Sequence, residues 1–228
     1  MSKPPVIVFD VNETLSDMSP VAERFTDLGV PGSMAALWFA TLLRDGFALT
    51  AAGDQASFSR LAVECARDLF ARHGGVDDVD GAAEYIVAGM HELRVHPDVA
   101  DGVRALRAAG ARLMTLSNGS TALADRLLTA AGIRGEFDAL LSVEGVSPWK
   151  PARAAYERMA AASGVELGDA VLVAVHPWDI HGASRAGMRT AWLDRSGTAY
   201  PTYFDRPDHV IHSLTDLAGV LAPNRDSA

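Results

Sequence analysis

The chain has 228 residues, nearly half of them apolar, and a formal charge of −9 with no basic run to offset it. That balance argues against a nucleic-acid or anionic-membrane partner, but not against an anionic small molecule, because a few buried cations can dominate the field inside a pocket. Its single cysteine, Cys65, cannot form an intramolecular disulfide, and the apolar run that opens MSKPPVIVFD is too short for a signal peptide or a membrane span, so a reducing cytosol is the expected compartment.

Residues 5–9 form a near-continuous apolar run that ends at Asp10, the pattern of a strand in a parallel sheet covered on both faces. Residues 16–94 carry helical patterns over 34–49, 58–70 and 82–93 and no convincing strand, which predicts a purely helical insert lying over the strand ends and excluding water. From about residue 95 strand and helix alternate: strands at 111–116, 170–175 and 190–193, and helices at 98–109, 120–131, 151–163 and 180–187, each closed by a glycine within a few residues. The expected fold is α/β, a doubly wound parallel-sheet core of residues 1–15 and 95–228 with a helical cap of residues 16–94. In such a sheet the site lies at the carboxyl ends of the strands. The tail after Pro223 reads as disordered.

Four polar points fall at those ends or in the connecting loops: Asp10, Ser117-Asn118, Lys150 and Asp179. Taken singly they read as a helix N-cap, a turn, a solvated lysine and another cap. Taken together they supply a carboxylate nucleophile, hydroxyl and amide donors, a cation and a second carboxylate. That is the set an aspartyl-ester mechanism needs.

The sequence resembles the haloacid-dehalogenase superfamily, and most closely its L-2-haloacid dehalogenase (type II) branch. The first motif stands as Phe9-Asp10-Val11-Asn12-Glu13-Thr14-Leu15 and the second as Leu116-Ser117-Asn118-Gly119-Ser120. The third is Trp149-Lys150-Pro151, with Tyr156 six residues after the lysine, and the fourth is His176-Pro177-Trp178-Asp179 followed by Ile180-His181-Gly182-Ala183. The resemblance spans nearly the whole chain, including the position of the insert. It implies a hydrolase in which Asp10 displaces a leaving group from carbon, with Thr14, Ser117 and Asn118 as hydrogen-bond donors. Lys150 keeps Asp10 ionised, and Asp179, assisted by His176, serves the water that cleaves the ester. Tyr156 would hydrogen-bond Lys150 or Asp179, and Asn12, Asn118, Tyr156, His176 and Arg44 are the candidate substrate-binding residues.

Two departures bear on the chemistry. Superfamily phosphatases carry a general acid two residues after the nucleophile, where this chain has Asn12, and a magnesium-binding aspartate five residues before the fourth-motif aspartate, where it has Ala174. Metal-free chemistry is therefore expected, with no cofactor, and His176 and His181 do not make a metal pair. The branch's cap arginine is also missing. Counting from Trp38 its position falls on Ala40, with Arg44 one turn further along the same face. The asparagine that branch members carry three residues before the fourth aspartate is His176 here. The expected substrate is a small carboxylic acid carrying a halogen, and a homodimer is the candidate assembly. The rival readings are a magnesium-dependent phosphatase and a non-catalytic binding domain of the same fold.

Overall fold

The computed structural model describes residues 4–145 and 148–221; the tail after Pro223 lies outside them. Strand β1 (Val6–Phe9) is followed by a two-residue strand, β2 (Ser16–Asp17), and then by four helices, α1 (Ser19–Asp27), α2 (Met34–Ala51), α3 (Phe58–His73) and α4 (Val79–Gly89). Strand β3 (Arg94–Val95) runs antiparallel to β2 and returns the chain to the core. Then come α5 (Val99–Ala108), β4 (Arg112–Ser117), α6 (Thr121–Ala130), β5 (Ala139–Ser142), α7 (Arg153–Ser163) and β6 (Ala170–Ala174). The described chain closes with α8 (Pro177–Ala186), β7 (Arg189–Leu193), β8 (His209–Ile211) and α9 (Leu214–Leu221).

The large sheet has the order β5-β4-β1-β6-β7-β8, and every neighbouring pair is parallel. After β1 the chain builds outward through β4 and β5, then crosses back to build the other half from β6. This reversal is what opens a crevice beyond the carboxyl end of β1. All four residues of β1 and all five of β6 are buried, and each such Val, Leu, Ile or Phe stabilises the core by about 1.5–3 kcal/mol. Phe9 pairs in register with Thr115 on one side and Val173 on the other, so β4 and β6 both run past the end of β1 and flank the point where Asp10 begins. The α/β doubly wound core expected from the sequence is the fold observed.

The insert is not purely helical. Ser16–Asp17 and Arg94–Val95 form a short ribbon where the chain leaves and re-enters the core, a pairing of two residues a side that leaves no periodicity to read. Helix α8 begins at Pro177 rather than residue 180, since proline suits the first helical position, and this draws Asp179 out of a loop and into the first turn. No helix among the described residues is long and apolar enough to cross a membrane.

Candidate active site

Asp10 leaves β1 through a bond from its N–H to the Val173 carbonyl (3.0 Å), and its side chain sits 4 % exposed at the floor of the crevice. The loop behind it closes on the Val11 carbonyl, which accepts from the N–H groups of both Leu15 and Ser16. Thr14 Oγ1 accepts the Val175 N–H (3.1 Å) and donates to Asp10 Oδ2 (2.8 Å), so its single proton is committed to the carboxylate. Arg195 braces the same loop, donating to the Thr14 carbonyl (3.0 Å) while paired with Asp98 (2.9 Å). Glu13 adopts φ 61°, the one positive φ among described non-glycine residues, a conformation that costs a side-chain-bearing residue about 1–2 kcal/mol.

Lys150, fully buried, joins the two carboxylates, with Nζ 2.8 Å from Asp10 Oδ1 and 2.6 Å from Asp179 Oδ2. Asn118 clamps the lysine's backbone, accepting its N–H at 2.9 Å and donating to its carbonyl at 3.2 Å. The amide expected to hold substrate is thus engaged in positioning the cation. Tyr156 donates to the other oxygen of Asp179 (2.6 Å), which settles its alternative partners in favour of the carboxylate. Burial would raise the Asp10 pKa, but Lys150 and His176 outweigh it and hold the carboxyl well below the usual range. Burial and the proximity of Asp10 push Asp179 upward against the pull of Lys150. Burial works against the charge on Lys150, yet the two carboxylates raise its pKa and keep it an ammonium. The result is an ionised Asp10 carboxylate in a buried setting.

His176 follows β6 and reaches Asp10 directly, its Nδ1 3.1 Å from Oδ2, while its Nε2 lies 2.8 Å from Glu13 Oε2. Burial disfavours the imidazolium, but the bonds to Asp10 and Glu13 prevail and push its pKa up to about 9. Sequence reasoning assigned Glu13 no role. The available signal was its place in the first motif, three residues from Asp10, but only the left-handed turn brings its carboxylate to the histidine.

Aromatic rings from both the insert and the core face this cluster. Phe39 of α2 lies 6.3 Å from the His176 ring, Phe58 of α3 stacks on Trp149 at 5.9 Å, and Trp178 stacks on His176 at 4.9 Å. Ser117 accepts the Gly119 N–H (2.9 Å), leaving its own proton for the pocket. A Cβ built on Gly119 would stand 3.5 Å from the Asn12 amide and 3.9 Å from Phe58, so Asn12, Ser117 and Phe58 gather at one spot. The expected cap positions require correction. Trp38, Phe39, Leu42 and Gly46 make the buried face of α2, whereas Ala40 and Arg44 lie on its exposed face. Arg44 pairs with Asp45 (2.8 Å) beside a cleft between α2 and α3 lined by Cys65 and Arg72, none of it formed by the residues around Asp10. The α2 residue turned toward the site is Phe39. His181 is also remote, accepting the Asp205 N–H.

A magnesium ion does not fit this donor set. The space between Asp10 and Asp179 is filled by the Lys150 ammonium, Asp10 Oδ2 already receives Thr14 and His176, and Ala174 offers no side-chain oxygen. Among the described residues no group of three or more His, Cys, Asp or Glu side chains could hold a metal.

Residues 4–187 match the family model described as a haloacid dehalogenase-like hydrolase. The chain is 32 % identical over 213 residues to an (S)-2-haloacid dehalogenase of Pseudomonas sp. (strain YL), covering 91 % of this chain and 90 % of that one. It is 29 % identical over 225 residues to haloacetate dehalogenase H-2 of Moraxella sp. (strain B), covering 97 % and 100 %. Among solved structures, a dehalogenase with an intermediate complex superposes with a TM-score of 0.89 at 25 % identity, across 98 % of this chain and 100 % of the other.

Proposed function

The chain belongs to the haloacid dehalogenase-like hydrolase family, and on that footing we propose that it hydrolyses the carbon–halogen bond of a small 2-haloalkanoic acid through an ester on Asp10, without a metal ion. The observation that carries this reading is the fully buried Lys150 bridging Asp10 and Asp179, which keeps the nucleophile ionised where no solvent could. Asp10 Oδ1, held by Lys150 alone, attacks the carbon bearing the halogen, and halide departs with the bonding pair and needs no proton. Water then adds to the ester carbonyl carbon, and Asp179, oriented by Lys150 and Tyr156, takes its proton. Collapse expels the 2-hydroxy acid, whose alkoxide recovers that proton, and Asp10 is restored; one halide and one proton are released per turnover.

Ser117 and Asn12 stand where the substrate carboxylate would be received. The cap rings Phe39 and Phe58, with Trp149 and Trp178 from the core, keep water from the ester. The near-complete burial of Asp10 favours a substrate of two or three carbons. Asn12 in place of a phosphatase acid and the ammonium in the cation position both count against phosphoryl transfer.

The test is a panel of chloroacetate, (S)-2-chloropropionate, fluoroacetate and a generic phosphate ester, each with EDTA and with magnesium. Halide release indifferent to both additions supports the proposal; magnesium-dependent phosphate release, or inertness toward every compound, refutes it. In heavy-oxygen water a single turnover should label Asp10 and leave the hydroxy acid unlabelled. Label appearing first in the product would reduce Asp10 to a general base.

A further inference from the structure

The two oxygens of Asp10 are not equivalent. Oδ1 receives one donor, Lys150, whereas Oδ2 receives two, Thr14 Oγ1 at 2.8 Å and His176 Nδ1 at 3.1 Å. The threonine oxygen accepts the Val175 N–H, which leaves its proton to donate, and Asp10 Oδ2 is the acceptor it meets. His176 lies between two carboxylates, and only an imidazolium donates from both ring nitrogens. Nothing in the ester chemistry proposed above uses Glu13, yet the chain adopts a left-handed backbone at that residue and sets its carboxylate on the far nitrogen of the histidine.

We infer that Thr14 and the His176 imidazolium form an oxyanion hole for Asp10 Oδ2 during hydrolysis of the ester, and that Glu13 is the positioning residue that keeps His176 protonated once Asp10 has lost its charge. The inference rests on the aspartyl-ester reading. Attack through Oδ1 makes Oδ2 the ester carbonyl oxygen. When water adds to the carbonyl carbon, the π pair moves onto Oδ2 as negative charge, and the bond from that carbon to Oδ1 then breaks as the pair returns. Two donors already stand at 2.8 and 3.1 Å from the atom where charge develops, which is the distance such stabilisation requires. While Asp10 is a carboxylate it helps hold the proton on His176. As an ester it cannot, and the task falls to Glu13.

The same donors act oppositely on the two half-reactions. They stabilise the carboxylate charge that ester formation consumes, so they oppose the first step, and they stabilise the oxyanion of the second. A residue that merely held the fold together would slow both. Other charged groups near the histidine are Lys150 and Asp179 behind Asp10, and Asp17, His96, Asp194 and Arg195 around a cleft of about 500 Å³ that Glu13 and His176 both line. Trp178 and Phe39 face its ring. Among the described residues only Glu13 and Asp10 bond to its nitrogens.

The experiment is rapid-quench of the full chain with (S)-2-chloropropionate, following chloride release and the mass of the Asp10-containing peptide, for wild type, Glu13→Gln, Glu13→Asp and His176→Asn. In Glu13→Gln and His176→Asn, chloride should appear in a burst equal to the enzyme at an undiminished rate, while the ester accumulates and decays about 10²-fold more slowly. Wild-type ester decay should fall on the alkaline side as His176 loses its proton, at a pH below the value of the free enzyme because the ester no longer helps hold that proton. In Glu13→Gln the limb should move to still lower pH. Glu13→Asp should recover part of the decay rate. The inference is overturned if ester decay is unchanged in both variants, if both half-reactions slow equally, or if wild-type decay rises with pH through neutrality, which would make His176 a base. Absence of chloride and ester from wild type would instead overturn the aspartyl-ester reading itself.

Discussion

Replacing Lys150 by methionine removes one charge while nearly conserving length and volume, so it isolates the electrostatic work of a side chain with no exposed surface. The ammonium is the shared partner of Asp10 and Asp179, and its loss leaves two buried carboxylates facing each other. Breaking a buried pair by deleting one partner costs about 3–5 kcal/mol. For a chain of 228 residues, at about 2–4 °C per kcal/mol, the melting temperature at neutral pH should fall by about 6–20 °C. The pH dependence carries the sharper test. In the wild type Asp10 titrates below its unfolded value, so its contribution to stability is complete above the ordinary carboxylate range and is lost only as pH falls through the depressed folded value. Without the lysine the burial of both carboxyls prevails and their folded pKa values rise. Ionised, they then destabilise the fold above the unfolded value of about 4, and protonation relieves that penalty as pH falls toward it. Melting curves for both proteins between pH 4 and 8 should therefore show a wide gap at pH 8 that narrows steadily toward pH 4. A gap of constant size would mean that only packing was lost, and no gap at all would refute the bridging role.

Tyr156→Phe deletes the donor to Asp179 Oδ1 from a buried site and should lower stability by about 1.5–3 kcal/mol in chemical denaturation, with a larger fractional loss in kcat than in KM. Gly46→Ala places a methyl against the Trp149 indole; about 1 kcal/mol gained in helix propensity should be outweighed by about 1–3 kcal/mol of overpacking, read as a lower melting temperature and a red-shifted tryptophan emission. Arg44→Ala should leave kcat/KM unchanged, and a tenfold fall would return that arginine to the substrate pocket.

The core strands were legible because a parallel strand buried on both faces prints an unbroken apolar run, and Asp10 and Ser117 mark where two such runs stop. The meeting of Lys150 with Asp10, 140 residues away in sequence, came from the motif resemblance; no periodicity encodes it. Other features were beyond reach for stateable reasons. Strand β5 is only partly buried and its apolar run is just three residues long, and the β2–β3 ribbon is too short for a pattern. On α2 neighbouring residues point about 100° apart, so counting from Trp38 could not tell that Ala40 faces outward while Phe39 is buried. The Glu13–His176 pair depends on a single backbone torsion that glutamate rarely adopts.

The ribbon at the root of the insert has a mechanical consequence. The chain enters and leaves the four helices side by side, at Ser16–Asp17 and Arg94–Val95, so the insert hangs on the core like a door on one hinge. Opposite that hinge, two polar latches hold it shut: Thr50 Oγ1 accepts the Trp149 N–H at 3.1 Å, and Glu144 accepts the Phe58 N–H at 3.1 Å. The rest of the closing edge includes ring against ring, as where Phe47 meets Trp178 at 5.0 Å and Phe58 lies on Trp149, and the Gly46 backbone against the Trp149 indole. Such contacts part without leaving buried charges stranded, and among the described residues two hydrogen bonds must be handed to water. On the proposed reading, a door so lightly fastened would admit the haloacid and release halide and hydroxy acid by the same swing. The expected consequence is a turnover that slows as solvent viscosity is raised, and a turnover indifferent to viscosity would show that the swing is not what limits it.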